Sequence, residues 1–127
     1  MKWLLVSACT LTLLGSGIQA SGLSEHIASP ELRAKMQAVY GARAIQRSEA
    51  FSRLLTPRAG TTDQQKLELV NNYFNNLTYS EDPRLWGDDD YWANPLEFIG
   101  ARGGDCEDYS IAKYYTLMEL GVDEQKL

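Results

Sequence analysis

Gly103-Gly104-Asp105-Cys106-Glu107-Asp108-Tyr109-Ser110-Ile111-Ala112-Lys113-Tyr114-Tyr115-Thr116-Leu117-Met118-Glu119-Leu120-Gly121 is the stretch on which the reading of this chain turns. A glycine pair precedes an acid that suits a helix N-cap, and no glycine or proline follows until Gly121. The pattern predicts a helix that begins near Asp105 or Cys106, runs through Leu120 and is capped by Gly121. Ile111, Tyr114, Tyr115 and Met118 recur at helical spacing and predict its core-facing stripe. Cys106 then stands on the first turn of a long helix.

That position has chemical uses. The positive end of the helix dipole favours an anionic sulfur. The free N–H groups of the first turn can donate to an oxyanion beside it. Gly103 and Gly104 carry no side chains to obstruct a substrate backbone. A plainer reading is a small cysteine packed under a loop, because cysteine is among the most often buried residues. The residues alone leave both open. Asp105, Glu107 and Asp108 sharpen the question, because neighbouring carboxylates oppose a thiolate. A divalent cation held by oxygen ligands would offset them. The alternative is that Asp105 caps the helix while Glu107 and Asp108 complement its dipole.

Working upstream, Asn94-Pro95 predicts a short helix over about 95–100 by cap-plus-proline logic. Tyr79 to Asn94 holds Pro83, Gly87 and Asp82, Asp88, Asp89 and Asp90, and reads as a loop. Its aromatics Trp86, Tyr91 and Trp92 are costly to expose, so the loop is expected to fold back and help line a cleft. Asp88-Asp89-Asp90 lacks the spacing of an EF-hand and reads as a solvated turn. Thr62 with Gln65 fits a capping box, and Leu67, Val70, Phe74 and Leu77 then mark a buried helical stripe. Further helices are expected from Pro30 to Gly41, after the N-cap Ser29, and over about 42–55. Strand signals are few, so the fold class is mainly α.

The first twenty residues stand apart. Met1-Lys2 starts positive, Trp3 to Leu14 is largely apolar, and small residues lead to Ala20. That is the layout of a secretory signal peptide over residues 1–20, leaving a domain over 21–127. The apolar run is shorter than the roughly 20 residues a membrane span needs, so no membrane insertion is expected after cleavage. Cys9 would leave with the leader, and Cys106 would remain as a lone thiol in an oxidising compartment. The formal charge of the 127-residue chain is −5, and an acidic surface argues against nucleic-acid binding. His26, the sole histidine, lies eighty positions before Cys106 and is given no catalytic role.

The segments 86–100 and 103–121, with Tyr40-Gly41-Ala42-Arg43-Ala44 and Leu54-Leu55, resemble the bacterial transglutaminase-like cysteine proteinases, the LapG-type periplasmic proteases. The resemblance runs from about Leu32 to Leu127. It implies a papain-like mechanism in which Cys106 attacks a peptide carbonyl, a histidine serves as base and then acid, and an aspartate orients that histidine. It also implies calcium dependence, with the acids flanking the cysteine, Asp105 and Glu107, as ligands. It points to a large surface adhesin as substrate, cleaved to release cells from a biofilm. An inner-membrane receptor responsive to cyclic di-GMP would hold the enzyme in check.

In that family the histidine and aspartate follow the cysteine helix, on strands of a sheet packed against it. The expectation here is therefore the helical lobe of a papain-like or transglutaminase-like α+β fold whose C-terminal sheet is missing. Such a chain would be inactive alone, and the stripe Ile111, Tyr114, Tyr115 and Met118, lacking its sheet partner, would be left as an exposed apolar patch. An alternative is a non-catalytic relic that binds calcium, a receptor or an adhesin segment without cutting it.

Overall fold

Capping chemistry sets most helix boundaries in the computed structural model, which describes residues 21–127. The signal-peptide reading of residues 1–20, Cys9 included, lies outside the described residues. Helix α1 spans Ser21–Ala28 and α2 spans Pro30–Tyr40. Ser29 caps α2, its hydroxyl accepting from Leu32 N–H at 3.3 Å, and Pro30 occupies the first turn. Gly41, at φ +83°, ends α2 and turns the chain into α3, Ala42–Leu54. Helix α4, Asp63–Asn75, opens with the expected capping box. Gln65 N–H donates to Thr62 Oγ1 at 3.2 Å, and Thr62 N–H donates to Gln65 Oε1 at 3.0 Å.

The segment read as a loop is partly ordered into elements. It opens with β1, Thr78–Tyr79, followed by a single turn of helix, α5, Asp82–Leu85. Helix α6, Pro95–Ala101, begins at a second reciprocal box between Asn94 and Glu97. Arg102, at φ +68°, leads into β2, Gly103–Gly104, and α7 runs from Cys106 to Glu119. A 3₁₀ turn, Glu124–Lys126, follows.

The core lies where α3, α4, α6 and α7 meet. Phe51, Val70, Phe74, Phe98, Ile99, Ala112 and Leu117 are buried there. Phe74 stacks on Phe98 with centroids 5.7 Å apart, and Tyr109 meets Phe98 edge-on at 4.7 Å. Each such side chain contributes about 1.5–3 kcal/mol by leaving water. Arg47 closes the end of α6, donating from Nε to Ile99 O and from Nη2 to Gly100 O, both at 2.6 Å. Tyr109 Oη donates to Leu77 O at 2.8 Å, tying α7 to the end of α4.

Three expectations need correction. The core face of α7 is Asp108, Ala112, Thr116 and Leu117, continued by Leu120, rather than the stripe Ile111, Tyr114, Tyr115 and Met118. Tyr115 is 59% exposed and Met118 36%. The helix has apolar residues on two faces, and the smaller side chains of Ala112 and Thr116 allow the closer approach to α4 and α6.

Second, Gly103 and Gly104 are buried and do not form an open approach to the thiol. They form a parallel pair with β1, in register Thr78 with Gly103 and Tyr79 with Gly104. Thr78 N–H donates to Arg102 O, and Ser80 N–H donates to Gly104 O, both at 2.9 Å. A Cβ on Gly103 would collide with the Thr78 carbonyl oxygen, and one on Gly104 with the Asp108 carboxylate. Close backbone approach explains this glycine pair.

Third, Trp92 is 67% exposed, although Trp86 and Tyr91 do fold back against the core. Their rings stand 4.7 Å apart. The Trp92 indole donates from Nε1 to Asp90 Oδ1 at 2.9 Å.

Candidate active site and cation site

Cys106 is the first residue of α7, and its side chain is exposed. The short β2 ends two residues before it, so the parallel pair with β1 fixes where the helix starts. Tyr79, on β1, is exposed and stands on the same side. Partial burial, and then the charge of Cys106, Glu81, Asp105 and Glu107, hold its phenol above the ordinary tyrosine value. His26 lies on α1, where it lines a cavity with Leu32, Met36, Tyr40 and Asn94. A surface groove of about 570 Å³ lies at Pro57–Thr61 and the facing side of α4, and neither Cys106 nor the acids beside it line it.

Behind the thiol, acids converge from three segments. Asp108 is fully buried and faces into the fold. Its Oδ1 accepts from Ala93 N–H at 2.8 Å and its Oδ2 from Asp105 N–H at 3.3 Å. Asp82, on α5, is 2% exposed; its Oδ2 accepts from Tyr91 N–H at 2.6 Å while its Oδ1 has no partner. Asp105 Oδ1 is likewise shielded and without a partner.

Two groups of carboxylates share Asp82. In one, oxygens of Asp82, Asp105 and Asp108 lie within 4.8 Å of one another; in the other, oxygens of Asp82, Asp90 and Glu107 do. Asp105 and Glu107, the pair singled out from sequence, fall one in each group and contact each other directly. Burial first, then hydrogen bonding and charge from Glu107, hold the Asp105 carboxyl above the usual carboxylate range. Burial also raises Asp108, outweighing the two N–H donors that act against it.

This arrangement fits a hard divalent cation. The donors are all carboxylate oxygens, and two shielded oxygens lack the partners that buried polar atoms normally have. Sequence reasoning missed Asp82 and treated Asp90 as part of a solvated turn. Asp90 is exposed, as a turn residue would be, yet its carboxylate joins Asp82 and Glu107. The signal at Asp82 was an Asp-Pro step opening a helical turn; its burial is a tertiary fact.

The family model described as bacterial transglutaminase-like cysteine proteinase, BTLCP, matches residues 43–127. Among solved structures, Legionella pneumophila LapG is 36% identical, with a TM-score of 0.63, and the match covers 80% of this chain and 53% of that one. Its calcium-bound form matches at 36% identity with a TM-score of 0.65 over 80% and 53% of the two chains. The EGTA-treated form matches at 36% and 0.63, over 80% and 52%. The chain thus spans about half the length of these structures. No curated protein matches.

Proposed function

Because this chain belongs to the bacterial transglutaminase-like cysteine proteinase family, we propose that it is the nucleophile-bearing portion of a calcium-dependent periplasmic cysteine endopeptidase. The observation that carries the reading is the exposed thiol of Cys106 on the first residue of α7, backed by a cluster of shielded carboxylates. In this reading Cys106 Sγ adds as a thiolate to a peptide carbonyl carbon, and first-turn N–H groups face the oxygen that gains the charge. The thiol proton passes to a histidine oriented by an aspartate and then to the leaving amine; neither role is assigned to a residue of this chain. Water then hydrolyses the thioester.

Asp105 and Glu107 are the proposed calcium ligands. A bound calcium ion would offset the negative charge around the sulfur and fix the start of α7. The support is the pair of partnerless oxygens here, together with the calcium-bound and EGTA-treated forms of the LapG relative. The proposed substrate is a large surface adhesin whose cleavage releases cells from a biofilm, with an inner-membrane cyclic di-GMP-responsive receptor as regulator. These rest on the family resemblance and on the leader-like residues 1–20.

Iodoacetamide alkylation of Cys106 at neutral pH, with and without calcium, tests the nucleophile. The expected result is a rate above that of the urea-unfolded chain; equal rates in both conditions overturn the assignment. Titration calorimetry tests the metal. Calcium binding that is unchanged in the double variant Asp105→Asn, Glu107→Gln removes these ligands.

A further inference from the structure

Residues 90–93 lie against the first turn of α7 and are bonded to it at Ala93. Asp90 has its carboxylate within 4.8 Å of those of Asp82 and Glu107, and Ala93 N–H donates to Asp108 at 2.8 Å. Glu107 and Asp108 directly follow Cys106. Trp92 projects from this segment, 67% exposed, and its indole N–H donates to Asp90 Oδ1 at 2.9 Å. An isolated exposed tryptophan is unremarkable in itself; this one donates to a carboxylate of the acid cluster, and the next residue, Ala93, is bonded to Asp108 in the helix turn that bears the thiol. A second sign of a ligand at the cluster is Asp82, 2% exposed, with Oδ1 unpartnered although its carboxylate belongs to both groups.

Building on the calcium reading above, we propose that Asp82 and Asp90 complete the cation site and that Asp90 couples its occupancy to Trp92, which forms an ion-positioned apolar wall for a peptide side chain beside Cys106. The chemistry is simple. Asp90 offers two oxygens, and one already holds the indole. With the other engaged by a cation shared with Asp82 and Glu107, Asp90 is fixed, and the indole bonded to it is fixed in turn. Without a cation, three carboxylates at this spacing repel, and Asp90, the most exposed of them, is the one free to swing away with Trp92. A rigid tryptophan face suits an apolar side chain of the bound peptide, since aromatic anchors give large contact area at low entropy cost. Calcium would then shape the peptide-binding surface as well as the thiol.

The test uses the full chain labelled with 5-fluorotryptophan, read by fluorine NMR during a calcium titration, with calorimetry in parallel. Trp86→Phe and Trp92→Phe variants assign the resonances. The Trp92 signal is expected to shift and sharpen at the same midpoint as the calorimetric binding. Asp90→Asn is expected to weaken calcium by about tenfold or more and to leave the Trp92 signal unmoved at saturation. Asp82→Asn is expected to weaken calcium similarly, and Asp88→Asn, in the same turn but outside both groups, to bind as the wild type does. Calcium binding with an unmoved Trp92 signal, or an unaltered shift in Asp90→Asn, overturns the coupling while leaving the calcium assignment standing. Wild-type affinity in both Asp82→Asn and Asp90→Asn overturns their place in the site. No heat of calcium binding to the wild type overturns the calcium reading itself, and this proposal with it.

Discussion

Ala93 N–H donates to Asp108 Oδ1 at 2.8 Å inside the protein, and through that bond the aspartate-rich loop and the helix beginning at Cys106 are held as one unit. The same carboxylate takes Asp105 N–H on its other oxygen, so one buried side chain caps α7 from within and anchors the loop. Asp108→Ala strips both donors of their acceptor. An unsatisfied buried N–H costs about 1–3 kcal/mol, so this variant should unfold at a clearly lower temperature in calcium buffer. Asp108→Asn keeps one acceptor and sheds a repelling charge, and should lose less. Equal midpoints for wild type and Asp108→Ala would show that the bond does not hold the loop.

Gly103→Ala tests the glycine pair. The added methyl meets the Thr78 carbonyl oxygen, and a backbone oxygen cannot rotate away as a side chain can. The parallel pair has to part, with loss of the Ser80 N–H to Gly104 O bond and displacement of the start of α7. Overpacking of this kind costs about 1–3 kcal/mol. Alkylation of Cys106 should slow in the same variant, because the sulfur moves with the helix start. Unchanged stability together with unchanged alkylation would place the functional importance of the pair elsewhere.

What could be read from the sequence follows the range of the forces involved. Ser29, Thr62 with Gln65, and Asn94 with Glu97 act within one helical turn, so the helices they cap were legible from spacing alone. The choice between the two apolar faces of α7 was not, because periodicity locates a face but cannot say which neighbour covers it. The pairing of Thr78 with Gly103 joins two-residue strands 25 positions apart, too short to leave a pattern of alternation. At the site, Cys106, Asp105 and Glu107 were marked by a local motif. Asp82 and Asp90 join them only through tertiary approach, and Asp82 is distinguished by burial that no neighbouring residue announces.

The acid cluster predicts a dependence on pH with a definite sign. Asp105 and Asp108 both have folded-state pKa values raised above 3.8 when no cation is bound. Between 3.8 and those higher values the folded chain binds more protons than the unfolded one, so stability falls as pH rises through the window and grows on acidification toward 3.8. Asp63 works in the opposite sense, held below 3.8 chiefly by its hydrogen bond to Lys126, and titrates beneath this window. Calcium needs the deprotonated carboxylates, so the stabilisation it confers should be greatest at neutral pH and vanish near pH 4. Thermal unfolding across pH 4–7, in EGTA and in calcium, reads both trends. A calcium-induced shift in midpoint that is the same at both ends of the range would mean that these acids do not bind the ion.

The outer face of α7 carries the last prediction. Tyr115 and Met118 are exposed and Ile111 is half-buried one turn before them, while Ala112, Leu117 and Leu120 fill the core behind. An apolar strip at i, i+4 and i+7 has the form of a helix face that packs against something, and it is not needed for the core described here. The 127-residue chain should therefore bind a hydrophobic-surface dye while still unfolding cooperatively, because dye binding arises from this face and not from a loosened core. Tyr115→Ser with Met118→Ser should remove most of the dye signal and change the unfolding midpoint little, since neither side chain is buried. Loss of cooperative unfolding in the double variant would mean that this face supports the core after all, and an undiminished dye signal would locate the exposed apolar surface elsewhere.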